Sequence, residues 1–71
     1  MNNEFYWLEA IYQTHSNSAL CIQLDDKDYW FPLVSIKLDV DLSNFKRDDS
    51  IQFEAQAWIL IENDLEWMVE E

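Results

Sequence analysis

The stretch from Asp28 to Leu42, DYWFPLVSIKLDVDL, constrains the fold of this chain more than any other. Three consecutive aromatics and the only proline open it, and a strict alternation follows. Val34, Ile36, Leu38, Val40 and Leu42 fall on one side, and Ser35, Lys37, Asp39 and Asp41 on the other. Side chains of a strand point to opposite faces with a period of two, whereas a helix would scatter these five apolar residues around its axis. The stretch therefore predicts one wall of a core with an acidic outer surface.

The flanking segments extend this pattern. Glu4 to Gln13 is rich in aromatic and β-branched residues and reads as a strand. Both of its faces carry bulk, Phe5, Trp7 and Ile11 on one and Tyr6, Leu8, Ala10 and Tyr12 on the other, and a helix is the competing reading. Residues 14–18, THSNS, form a polar turn whose side chains compete with regular ladders for hydrogen bonds. Ala19 to Leu24 is a second strand with Leu20, Ile22 and Leu24 inward, and DDKD at 25–28 is its hairpin tip. Tyr29 to Phe31 begins a third strand. Pro32 cannot donate to a ladder, so it belongs at an edge, a bend or a strand start. Ser43 to Asp49 is a charged loop. Ser50 to Gln56 alternates again, with Ile51, Phe53 and Ala55 on one face. From Ala57 the period changes: Trp58, Ile61, Leu65 and Met68 make one helical stripe. A strand running through Ile61 to a turn at Asn63-Asp64 is the alternative there.

Seventy-one residues suit a single domain, 1–71. The fold class expected is α+β and mostly β: a small antiparallel sheet or barrel of four or five strands, closed by a C-terminal helix. Tight hairpins need positive φ, which glycine supplies most readily, and this chain has no glycine. Asn17, Asp25, Asp26, Asn44 and Asp48 are the residues left to serve. The four tryptophans, Trp7, Trp30, Trp58 and Trp67, are expected mostly in the core of so small a domain, with Trp67 the best candidate for an exposed anchor.

Charge is the outlying property. Fifteen acidic residues against four basic ones give a net charge of −11 and a pI near 4.1. A phosphate backbone needs cations to replace its counterions, so direct nucleic-acid binding is not expected, nor is binding to an anionic membrane. No apolar run is long enough to span a bilayer, and the N-terminus lacks the basic start and apolar stretch of a signal peptide. The expected location is the cytoplasm, and an electrostatically recruited partner should be basic. Cys21 is the lone cysteine, best read as a small buried apolar residue.

Enzymatic chemistry finds little footing. Phosphate-cradling loops need glycine, His15 sits in a polar turn without an evident acid or thiol partner, and one Cys plus one His do not make a metal site. Asp25, Asp26 and Asp28 lack the glycine and later bidentate Glu of an EF-hand. The chain reads as non-enzymatic, with no cofactor and no metal. The acidic residues are better candidates as a set. Asp39 and Asp41 share one strand face about 6.6 Å apart; Asp25, Asp26 and Asp28 crown a hairpin; Asp48 and Asp49 occupy another loop. Glu62, Asp64, Glu66, Glu70 and Glu71 crowd the C-terminus. Carboxylates spaced on a rigid sheet can imitate a nucleic-acid backbone and draw in a basic groove built to hold one. The bland reading is that they keep an aromatic-rich chain in solution.

The runs ALCIQLDDKDYWFPLVSI and DDSIQFEAQAWILIENDL resemble small uncharacterised domains of phages and other mobile elements. Those domains carry a strand, a Trp-Ile-Pro-x-Ser-x-Ile-like turn, a Gly-Asp loop, a strand and a Trp-Leu-led helix. The likeness covers residues 19–65 and departs at Val34-Ser35, at Asp48-Asp49 and in the acidic alternation at 37–41. It implies a compact β-barrel-like fold, a helix beginning at Trp58 and a mobile-element origin. With the size and acidity, it is similar to phage-encoded anti-CRISPR and anti-restriction inhibitors that act as DNA mimics. That likeness implies a bacterial host, and a basic host protein or ribonucleoprotein complex as partner. Asp25, Asp26, Asp28, Asp39, Asp41, Asp48 and Asp49 are the expected contact set. The alternative is a phage accessory module that binds protein through an exposed aromatic patch, and an exposed edge strand makes a homodimer an option.

Overall fold

The structure, a computed structural model, describes residues 4–69, so Glu70 and Glu71 lie outside the described residues. Five strands form one antiparallel sheet: β1 (Phe5–His15), β2 (Ala19–Leu24), β3 (Lys27–Pro32), β4 (Ile36–Lys37) and β5 (Ser50–Gln56). Their order is β3-β2-β1-β5-β4, which puts the two ends of the chain's central stretch on opposite edges of the sheet. The α+β, mostly β class holds, with a helix, α1 (Ala57–Glu62), following the sheet.

Parity decides which side of each strand is covered. On β1 the inner set is Leu8, Ala10 and Tyr12, with Tyr6 packed against it. These residues face Ile51, Phe53 and Ala55 across the β1–β5 ladder, where Ala10 pairs with Ile51, Leu8 with Phe53 and Tyr6 with Ala55. Leu20 and Ile22 of β2 and Phe31 of β3 complete the wall. Each apolar side chain removed from water contributes about 1.5–3 kcal/mol.

The sheet is strongly curled. Only Leu33–Ser35 separate β3 from β4, a link whose reach is at most about 14 Å. Five flat strands would set those edges about 19 Å apart. The short link is a 3-10 turn in which the Ser35 hydroxyl donates to the Pro32 carbonyl at 2.6 Å. Ser35 is fully buried, and that bond satisfies its polar atom.

This link also corrects the strand expected over 34–42. Pro32 ends β3, the chain turns, and β4 lasts only two residues before the loop 38–41 and a second 3-10 turn, Leu42–Asn44. Leu38 and Leu42 do pack on the core, but Val34 is 87% exposed and Val40 is exposed too. A period of two in residue type is not a period of two in burial once a turn interrupts the backbone.

Two further expectations change. The hairpin tip is Asp25-Asp26 alone, since Leu24 pairs with Lys27 and Asp28 already lies in β3. Asp25 and Asp26 adopt φ of 54° and 66°, the left-handed pair that a two-residue hairpin requires. Asp48 and Asp64 are left-handed as well, whereas Asn17 and Asn44 are not. The expected helical stripe is also rotated. Helix α1 stops at Glu62 and buries Ala57, Ile59 and Leu60, leaving Trp58 and Ile61 exposed. Leu65 is buried beyond the helix, where its N–H donates to the Leu60 carbonyl at 2.7 Å.

Candidate protein-binding surface

All seven aspartates expected to make contacts are exposed, and they fall in three separate groups along the chain. Asp25 and Asp26 form the β2–β3 tip, and Asp28 follows on the outer face of the edge strand β3, opposite Gln23. Asp39 and Asp41 lie in the loop after β4, so the shared strand face expected for them is not formed. Asp48 and Asp49 lead into β5.

Most of these residues also hold their own turn together. The Asp41 carboxylate accepts from the Ser43 N–H at 3.0 Å and caps the Leu42–Asn44 turn. That backbone bond, then the Ser43 side chain, holds the Asp41 carboxyl below the usual aspartate range, against a smaller opposing effect of desolvation. His15 nearby contributes in the same direction as Ser43. Asp49 accepts the Lys46 N–H on Oδ2 at 2.8 Å and, through its backbone carbonyl, the Tyr12 N–H at 2.7 Å. The Asp48 N–H donates to the Tyr12 carbonyl at 2.8 Å. An Asp side chain bonding its neighbouring backbone, or tolerating φ > 0, is a standard way to build a turn without glycine. Each carboxylate still has lone pairs left for an incoming donor.

Trp67 is exposed as expected, but Trp7, Trp30 and Trp58, expected mostly in the core, are exposed too. Trp7 is 61% exposed, Trp67 56%, Trp30 50% and Trp58 45%. Trp7 and Trp30 are placed outward by strand parity, and Trp58 by the short helix, where its indole N–H donates to the Gln56 side chain at 2.7 Å. The signal was present in β5, whose Ser50, Gln52, Glu54 and Gln56 alternate as polar partners for the outer residues of β1. Across that face Trp7 stands opposite Glu54, and Glu54 opposite Lys37. Lys37 Nζ lies 4.2 Å from the centroid of the Phe5 ring, a cation–π contact.

Cys21 points to the side opposite Leu20 and Ile22 yet is buried. Burial raises its thiol pKa, the Asp28 carboxylate adds to the rise and Arg47 opposes it. A thiol so placed is a poor nucleophile. Among the described residues no group of three or more His, Cys, Asp or Glu side chains is placed to hold a metal ion. No helix among them is long and apolar enough to cross a membrane.

Two open grooves flank the loop after β4. One, of about 420 Å³, lies between His15–Asn17 and Leu38–Leu42. The other, of about 400 Å³, runs between Leu38–Val40 on one side and Trp7 and Gln52–Glu54 on the other. No family model, no curated protein and no solved structure matches this chain.

Proposed function

We propose that this chain is a non-enzymatic inhibitor, of the kind phages encode, that binds a basic host protein or ribonucleoprotein complex in the bacterial cytoplasm. Its partner is a nucleic-acid-handling defence complex, CRISPR-Cas or similar, and its acidic turns occupy cationic sites that otherwise hold phosphate. The observation that carries this reading is the placing of exposed aspartates on built turns: the backbones of Asp25, Asp26 and Asp48 are left-handed, and the carboxylates of Asp41 and Asp49 are held by hydrogen bonds. Charges held in place lose less entropy on binding than charges on a flexible tail. Lys and Arg donors then meet carboxylates in charge-assisted hydrogen bonds.

A second reading is favoured by the exposure of all four tryptophans. In it the chain is a phage accessory module that binds protein through an aromatic patch, and its charge serves only to keep it in solution. Substitution separates the two. Asp28 and Asp39 take no left-handed backbone, so reversing both to Lys tests charge with the least damage to the fold. On the acidic reading, the double reversal weakens partner binding by at least about a hundredfold, whereas Trp67→Ala leaves it within a few-fold. The opposite pattern favours the aromatic patch.

A further inference from the structure

The curled sheet has two edges, and they are finished differently. Leu33 donates its N–H to the Ser18 carbonyl at 2.9 Å, so bonded pairs of the β2–β3 ladder fall at Phe31, Tyr29 and Lys27. Pro32, Trp30 and Asp28 therefore turn their backbone groups outward. Pro32 has no N–H, and its carbonyl is taken by the Ser35 hydroxyl. The Trp30 carbonyl accepts from the Asn63 side chain at 3.2 Å. The Pro32 end of the β3 edge is thus covered by its own chain, and only Asp28 and the Trp30 N–H remain outward at its hairpin end.

The other edge is not. Ala57 donates its N–H to the Glu4 carbonyl at 3.2 Å and Tyr12 donates to Asp49. In an alternating ladder this turns Ala55, Phe53 and Ile51 toward β1, and Gln56, Glu54, Gln52 and Ser50 away from it. On that far side β4 meets only Ala55 and Glu54. The N–H and carbonyl of Gln52 consequently turn toward the groove of about 400 Å³, and no strand lies across from them among the described residues. Natural proteins usually blunt such an edge, because it is a template for another strand.

We propose that this groove is a strand-addition site for an extended, basic segment of the partner, which continues the line of β4 along β5. A residue paired with Gln52 points to the outer face, where Glu54 lies two positions along β5 and Trp7 lies opposite Glu54. Asp39 lines the facing wall. Lys37 also lines the groove, but its ammonium lies over the Phe5 ring. A Lys or Arg at the position paired with Gln52 meets two carboxylates and the face of an exposed indole, a favourable setting for a cation. Its neighbours in sequence point inward toward Phe53 and Leu38, so small apolar residues flank the cation. Charge selects this occupant over a second copy of the chain, since two molecules of net charge −11 repel. The proposal rests on the basic-partner reading and assigns where that partner is held.

The probe is an acetylated and amidated Lys-Val-Arg-Val-Lys peptide, with Glu-Val-Gln-Val-Glu as control, titrated to millimolar concentration and followed by amide exchange and by amide and indole chemical shifts. The expected result is slowing of Gln52 amide exchange by about tenfold or more, with a shift of the Trp7 indole signal, for the basic peptide alone. Gln52→Pro removes only an outward N–H, so it should fold and lose this binding. If that variant does not fold, Glu54→Lys with Asp39→Lys provides the second test and should abolish the protection. Binding that shifts the Asp25 and Asp26 amides without protecting Gln52 overturns this inference and leaves the acidic reading standing. Protection by the control peptide as strong as by the basic one overturns the choice of a basic segment. Concentration-dependent protection of Gln52 without peptide, with a dimer in sedimentation, assigns the edge to a second copy and also overturns it. No binding of the basic peptide at low salt overturns the inference, whereas the reading beneath it falls only if reversing Asp28 and Asp39 to Lys leaves partner binding unchanged.

Discussion

Phe31 and Phe53 meet edge to face, with ring centroids 5.5 Å apart and planes at 80°, although β2 and β1 stand between their strands. In a flat sheet those strands would lie about 14 Å apart. The contact therefore exists only because the sheet curls, and both rings are fully buried. Replacing either by Ala should cost about 3–5 kcal/mol, enough to unfold much of a 71-residue chain. Milder Phe→Leu changes at both positions allow a double-mutant cycle by chemical denaturation. A coupling of about 0.5–1.5 kcal/mol is expected, and additivity would contradict the contact.

Asp25-Asp26 forms a two-residue turn in which both backbones are left-handed. Asn-Gly is the preferred sequence for that geometry. Asp25→Asn with Asp26→Gly should raise stability by about 1 kcal/mol, read as a higher denaturation midpoint with unchanged slope. If these carboxylates also contact the partner, the same variant binds more weakly while being more stable.

Asp41 ties its carboxylate to Ser43, and its pKa is lowered from the ordinary 3.8. A depressed folded-state pKa means that the contribution is fully present above the unfolded value. It is lost as pH falls below 3.8 through the folded-state pKa. Asp41→Asn should therefore flatten stability against pH in that acid window and leave the neutral-side profile unchanged, as thermal unfolding at a series of pH values would record.

Gln13 sits at the bulge between Tyr12 and Thr14, where the β1–β2 register shifts, and its side-chain Nε2 is buried without a hydrogen-bond partner. A buried donor left unpaired costs about 1–3 kcal/mol. Gln13→Met keeps the length and removes the donor. It should be neutral or stabilising by about 1 kcal/mol in denaturant titration, whereas a clear loss would show that the amide is satisfied in solution.

β1, β2, β3, β5 and the start of the helix were legible because Leu8, Leu20, Ile51 and Phe53 sit in alternating runs whose parity is also their burial. The segment after Pro32 was not, since Ser35 is buried and Val34 exposed, the reverse of what their polarity suggests. A hydroxyl satisfied by the Pro32 carbonyl can replace an apolar residue in the core, and nothing local to Val34 announces that. Changing Val34 to Thr should accordingly move stability by less than about 0.5 kcal/mol. The missing glycines did point to Asp25, Asp26 and Asp48 as turn formers. The grouping of the acidic residues at 25–28, 39–41 and 48–49 was legible, but the strand face expected for Asp39 and Asp41 was lost because β4 lasts only two residues, which no pattern in the stretch forecast. Trp67 was placed outward correctly, whereas Trp7, Trp30 and Trp58 were misjudged because their size suggests burial, while strand parity and a short helix turned them outward.

The most direct test of the account is capture of bacterial proteins on the wild-type chain at low and at moderate salt, with duplex DNA added as competitor. The expected result is a basic nuclease or ribonucleoprotein complex whose capture weakens steeply with salt and is displaced by DNA. A partner held equally at both salt concentrations and untouched by DNA would contradict it, and would leave the exposed tryptophans as the binding surface.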